Sequence, residues 1–92
     1  MVQKQDDGKH GKYFILEEDT EVASMTFTWA GTQRLIIDHT EVDVSQKGKG
    51  LGLKLLQAVV KDARAKGVKI LPLCPFANAM MRKHPELQDV LN

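Results

Sequence analysis

From residue 21 to residue 29 the chain alternates. Val22, Ser24, Thr26 and Thr28 fall on one side, and Ala23, Met25, Phe27 and Trp29 on the other. A period of two defines a half-buried strand, and the side with Met25, Phe27 and Trp29 is the one to meet a helix. Before it, residues 12–17 are β-prone, with a turn at Glu18-Asp19-Thr20 between the two. Residues 1–11 are polar and read as a loose lead-in or the start of the first strand. After a turn at Ala30-Gly31-Thr32, residues 34–44 form a third strand. Leu35, Ile36 and Ile37 open it as a run buried on both faces, and polar residues enter from Asp38 onward. Residues 50–66 then switch to helical spacing. Leu51, Leu55, Val59 and Ala63 make one row, and Leu56 and Val60 widen it toward the sheet. Lys66 and Gly67 end the helix with a cation and a C′ glycine. Residues 68–73 read as a fourth strand. Pro75 starts a second helix through about Lys83, His84-Pro85 closes it, and residues 86–91 form a final turn.

A strand–helix–strand unit of this length crosses right-handed between parallel strands. The expected fold is therefore α/β (α+β): three antiparallel strands, a fourth parallel to the third through a helix crossover, and a second helix at the C-terminus. Ninety-two residues, 42% of them hydrophobic, fit one domain over 1–92 with a small core. A formal net charge of +1 gives no global electrostatic case for nucleic acid. One cysteine excludes an internal disulfide and suits a reducing cytosol. No apolar run approaches the ~20 residues of a membrane span, and the first residues hold no apolar signal core. The expectation is a cytoplasmic protein without a membrane or nucleic-acid partner.

The link between the third strand and the first helix carries the chemistry. It reads Val42-Asp43-Val44-Ser45-Gln46-Lys47-Gly48-Lys49-Gly50-Leu51-Gly52. Glycine leaves backbone amides uncovered, and a helix opening there points free N–H groups and a positive dipole end into the turn. Such a turn suits phosphate; the alternative is a plain loop with solvated lysines. The P-loop pattern is absent, and the third glycine comes one residue early for the dinucleotide fingerprint.

The same loop resembles the acyl-CoA loop of the GNAT acetyltransferase superfamily, [QR]-x-x-G-x-[GA]. Lys47 stands in the Gln/Arg place and keeps its positive charge, with Gly50 and Gly52 at the two small positions. His39-Thr40-Glu41-Val42 before the loop and Cys74-Pro75-Phe76 after the helix are similar to a short GNAT-like subfamily, over roughly residues 13–87. The resemblance implies acetyl-CoA or CoA as the ligand. Lys47, Lys49 and the amides from Gly48 through Leu51 to Gly52 would hold the pyrophosphate, and the backbone of Val42 and Val44 would run along the pantetheine arm. It also implies that two helices usual between the first and second strands are missing here. A tyrosine that often protonates the leaving thiolate would fall at Met80 or Met81; the only tyrosine is Tyr13.

Cys74 is the candidate nucleophile. Pro75 is a favoured first helical residue, so Cys74 is the expected N-cap, where its thiolate would accept hydrogen bonds from the amides of Phe76 and Ala77 and have its pKa lowered. The alternative is an inert buried cysteine. His39 and Glu41, two apart and so on one strand face, are candidates for general base and orienter; a hydrogen-bonded structural histidine is the alternative. Ligands gather at the C-terminal ends of parallel strands, which would bring Cys74 and the loop to one crevice with His39 in reach. No metal is expected, because Cys74, His10, His39 and His84 match no ligand spacing. Three readings follow: an acetyltransferase with an unknown acceptor, for which S-acyl-Cys74 is one route beside direct attack on the thioester; a CoA-binding or sensing module without turnover; and an interaction protein whose loop is empty.

Overall fold

A computed structural model describes the whole chain, Met1–Asn92. A single sheet carries β1 (Val2–Asp6), β2 (His10–Glu17), β3 (Thr20–Ala30), β4 (Arg34–Val42) and β5 (Lys69–Pro72), with helix α1 (Leu51–Lys66) crossing from β4 to β5 and α2 (Pro75–Lys83) following. The strands lie in sequence order. Pairing is antiparallel from β1 to β4 and parallel between β4 and β5. The expected three antiparallel strands plus one parallel strand are all present, and the lead-in adds a fifth.

That extra strand has a plain cause. Val2, Lys4 and Asp6 turn to the helix side, where Val2 packs against the core and the other two make polar contacts. Lys4 Nζ lies 3.4 Å from Asp62 on α1, and Trp29 Nε1 donates to Asp6. Main-chain pairing to β2 and these polar ties hold β1 at the sheet edge without an apolar row. Residue 34 onward also ends sooner than its pattern implies. β4 stops at Val42, and Asp43 caps a 3-10 turn over Val44–Gln46, its carboxylate accepting from the Ser45 amide at 3.0 Å. That bond holds the Asp43 carboxyl below the usual carboxylate range.

The core lies on one face of the sheet. Tyr13, Ile15, Met25, Phe27, Leu35, Ile37 and Ile70 meet Leu55, Leu56, Val59 and Val60 of α1, and Ala77 and Met81 of α2 join the same cluster. Leu87 and Val90 of the final 3-10 turn, Pro85–Val90, close its lower end. Arg64 on α1 pins this turn by two bonds to Asp89 (2.9 and 2.7 Å) and one to the Glu86 carbonyl. The other sheet face carries no helix. Phe27 is 1% exposed, with its ring 5.4 Å from Tyr13 and 6.1 Å from Trp29. Replacing it by alanine should cost about 3–5 kcal/mol, a large share of the about 5–15 kcal/mol such a domain holds. A urea titration of Phe27→Ala should show a midpoint near half the wild-type value; an unchanged midpoint would contradict this core.

One irregularity in β4 decides what faces where. Phe27 pairs with Ile37 but Thr26 pairs with His39, so Asp38 is an extra residue, a β-bulge. Thr28 Oγ1 donates to Asp38 Oδ2 at 2.7 Å and fixes it on the helix-free face. Strict alternation from the inward Ile37 would turn His39 inward. The bulge turns Thr40 inward instead, opposite Met25, and sends His39 and Glu41 outward, opposite Thr26 and Ser24.

Candidate acyl-CoA site

β4 and β5 part company beyond Ile37. The Ile37 carbonyl accepts from both Leu73 and Cys74 amides, each at 3.1 Å, and no further bond joins the two strands. From Asp38 to Val42 one edge of β4 therefore has no neighbouring strand. The loop into α1 starts beside this gap. It is tied down by Gln46, which is 5% exposed and whose Nε2 donates to Glu17 Oε1 at 3.2 Å. Gln46 thus positions the loop, a role its surroundings in the sequence gave no reason to assign.

Gly48 and Gly50 have φ of +84° and +72°, and a Cβ built on either meets nothing within 4 Å. Only glycine takes this left-handed turn without steric cost. The first α1 hydrogen bond runs from the Lys54 amide to the Gly50 carbonyl at 3.1 Å. The amides of Leu51, Gly52 and Leu53 precede that bond, and no side chain caps them. The Gly48 and Gly50 amides donate to no group of the chain either. Free N–H groups at the positive end of a helix favour a nearby anion.

These amides border a cavity of about 490 Å³. Val42, Val44, Lys47, Gly48, Gly50, Leu51 and Gly52 line it, and Thr40, Gln46, Leu53, Phe76 and Met80 complete the wall. Lys49 stays outside the lining. Phe76, part of the Cys-Pro-Phe run, has its ring so close to Gly52 that an added Cβ would clash with it. The second glycine of the loop is therefore a packing requirement between α1 and α2. Met80 reaches the cavity and Met81 is buried in the core. Tyr13 is a strut beneath α1, donating to Asp62 at 2.7 Å; burial, then the Asp62 carboxylate, push its phenol upward.

Cys74 is the N-cap of α2, but its sulfur makes no bond to the helix amides. It is 3% exposed, and its thiol donates to Thr40 Oγ1 at 3.3 Å. The expected reach from His39 to Cys74 is absent for the reason given above. The bulge puts His39 on the helix-free face, where its Nε2 lies 3.2 Å from Glu41 Oε1, both side chains being exposed. Thr40 takes the place beside the thiol. The thiol, through Thr40, abuts the cavity wall without lining it. No group of three or more His, Cys, Asp and Glu is arranged to hold a metal ion, and no helix is long and apolar enough to cross a membrane.

A parallel pair that opens beside an uncapped glycine loop is the frame of an N-acetyltransferase-type protein. The family model described as GCN5-related N-acetyl-transferase matches residues 12–90. The chain belongs to that family. A GCN5-like protein of Staphylococcus aureus is similar over 100% of this chain and 87% of its own, with 33% identity and a TM-score of 0.80. The ribosomal-protein-alanine N-acetyltransferase of Brucella melitensis superposes with a TM-score of 0.71 at 16% identity, over 84% of this chain and 62% of that one. An aminoglycoside 6'-N-acetyltransferase complexed with coenzyme A gives 0.61 at 15% identity, over 70% of this chain and 37% of that one. The last two establish likeness of fold alone. Among curated proteins none matches.

Proposed function

We propose that this protein binds acetyl-CoA at the N-terminus of α1 and transfers its acetyl group through Cys74. The observation that carries the reading is the set of unpaired amides at Gly48 and from Gly50 to Leu53, bordering a cavity that Lys47 also lines. The pyrophosphate takes the amides and the lysine. The pantetheine arm runs along the free edge of β4 past Val42 and Val44. That edge offers main-chain groups because β5 has ended. The thioester then arrives near Thr40, against which the Cys74 thiol lies. In the exchange, the Cys74 sulfur bonds the acetyl carbon, the C–S bond to CoA breaks, and the thiol proton ends on the CoA sulfur. The acetyl group passes from Cys74 to the acceptor.

A second reading is a module that holds acetyl-CoA without turnover. Met80 favours it, since an unreactive thioether stands in the cavity. Ligand binding is common to both readings and is tested first. Titration with acetyl-CoA should move the backbone amide resonances of residues 42–55, and NAD at the same concentration should not. If those resonances stay still under excess acetyl-CoA, both readings are wrong.

A further inference from the structure

We infer that Met80 fixes the length of the acyl group this protein accepts and holds it to acetyl and propionyl. The inference rests on the binding half of the proposed function, acyl-CoA at the loop before α1, and needs no transfer step. The cavity there changes character along its length. Lys47 and the glycines form its loop end, and the other end is apolar, with Leu53 from α1 and Phe76 and Met80 from α2. An acyl-CoA has the same polarity, charged at the pyrophosphate and apolar at the acyl group. Burying the charged end against apolar side chains would cost free energy. The matched orientation therefore puts the acyl group against α2.

The residues of α2 show what ends the cavity. Phe76 and Met80 share one side of the helix at i, i+4 spacing, and both line the cavity. Ala77 and Met81 form the adjoining side and are buried in the core. The Phe76 ring lies against Gly52, at the loop end. Met80 is about 6 Å further along the helix axis. Thr40 lines the same cavity from β4, and the buried Cys74 thiol lies 3.3 Å from its hydroxyl. A thioester beside Thr40 thus finds the core closed, and its acyl chain runs to Met80. The helix cannot recede as a body. Met81 is 0% exposed, and Gln88 Nε2 donates to the Met81 carbonyl at 2.9 Å, which anchors the last turn. Only the Met80 side chain is free to give. An unbranched thioether rotates aside for about one methylene. A longer chain has to force it into packed surroundings.

The test is calorimetric titration of the full chain with CoA and with its acetyl, propionyl, butyryl and hexanoyl thioesters, each affinity being read relative to that of CoA. In wild type, propionyl-CoA should bind about fourfold tighter than acetyl-CoA, for one more buried methylene. Hexanoyl-CoA should bind about tenfold more weakly than propionyl-CoA. Met80→Ala removes the γ-carbon, the sulfur and its methyl, which leaves room for about three chain atoms. Its tightest ligand should be hexanoyl-CoA. Met80→Trp fills the same space with a rigid ring and should act in reverse, lowering propionyl-CoA about tenfold relative to CoA. Loss of stability alone does not shift chain preference in opposite directions, and each variant reads the wall without the other. Wild-type affinity that is independent of chain length, or a Met80→Ala protein with the wild-type order, overturns this inference while CoA binding upholds the loop site. If neither CoA nor any thioester binds wild type, the proposed function falls and this inference with it.

Discussion

Gly50→Glu should give a folded protein that no longer holds acetyl-CoA. Gly50 sits at φ +72° with open space where its Cβ would be. A non-glycine residue in that conformation costs about 1–2 kcal/mol, which a domain holding about 5–15 kcal/mol survives. Binding has no such margin. The new carboxylate would project into the space where the pyrophosphate must approach the free amides, and would repel it there. A loss of about a hundredfold or more in affinity corresponds to only ~2.7 kcal/mol, less than one close like-charge contact out of bulk water supplies. Gly50→Ala separates the two effects. It shares the backbone strain and lacks the charge, so it should melt like the glutamate variant and keep affinity within about tenfold. Calorimetric titration of all three proteins with acetyl-CoA reads the difference. A folded Gly50→Glu protein with undiminished affinity would remove the loop from the site.

The parts of this fold legible in the sequence are those where one-sided burial repeats with a fixed period. The α1 row from Leu51 to Ala63 and the β3 side with Met25, Phe27 and Trp29 both turn to the core as their spacing implies. The glycine loop was legible because its backbone needs, positive φ and uncovered amides, restrict residue type. β1 was not, because it is held by main-chain pairing and by Lys4 and Asp6 rather than by an apolar row. The β4 bulge was equally silent. Nothing in Ile37-Asp38-His39-Thr40 announces that Asp38 is inserted, yet that one residue exchanges His39 for Thr40 beside Cys74. The predicted loop residues other than Lys49 line the cavity, and the predicted contact of His39 with Cys74 is absent. Phe76, Met80 and Gln46 entered the cavity wall from tertiary packing, which no local spacing encodes.

The exchange of faces between His39 and Thr40 sets the expected course of acylation at Cys74. Wild-type protein incubated with acetyl-CoA should gain one acetyl group on Cys74, read by intact mass and localised by peptide mapping. Cys74→Ala should gain none. The thiol is buried at 3% exposure and bonded to Thr40, so only a thioester delivered along the β4 edge can reach it. A bulky thiol reagent in solution should therefore react with Cys74 far more slowly than acetyl-CoA acylates it. Had His39 faced the thiol, His39→Ala would slow acylation. It faces the other way, paired with Glu41, so His39→Ala should leave acylation intact. Thr40→Val removes the hydroxyl that orients the thiol and should slow acylation itself, by about tenfold for one lost hydrogen bond. A pulse of acetyl-CoA therefore separates the two substitutions in one experiment, one slowing acylation and the other leaving it unchanged. If Cys74→Ala turns over acceptor as fast as wild type, the cysteine only begins α2, and the acceptor attacks the CoA thioester directly.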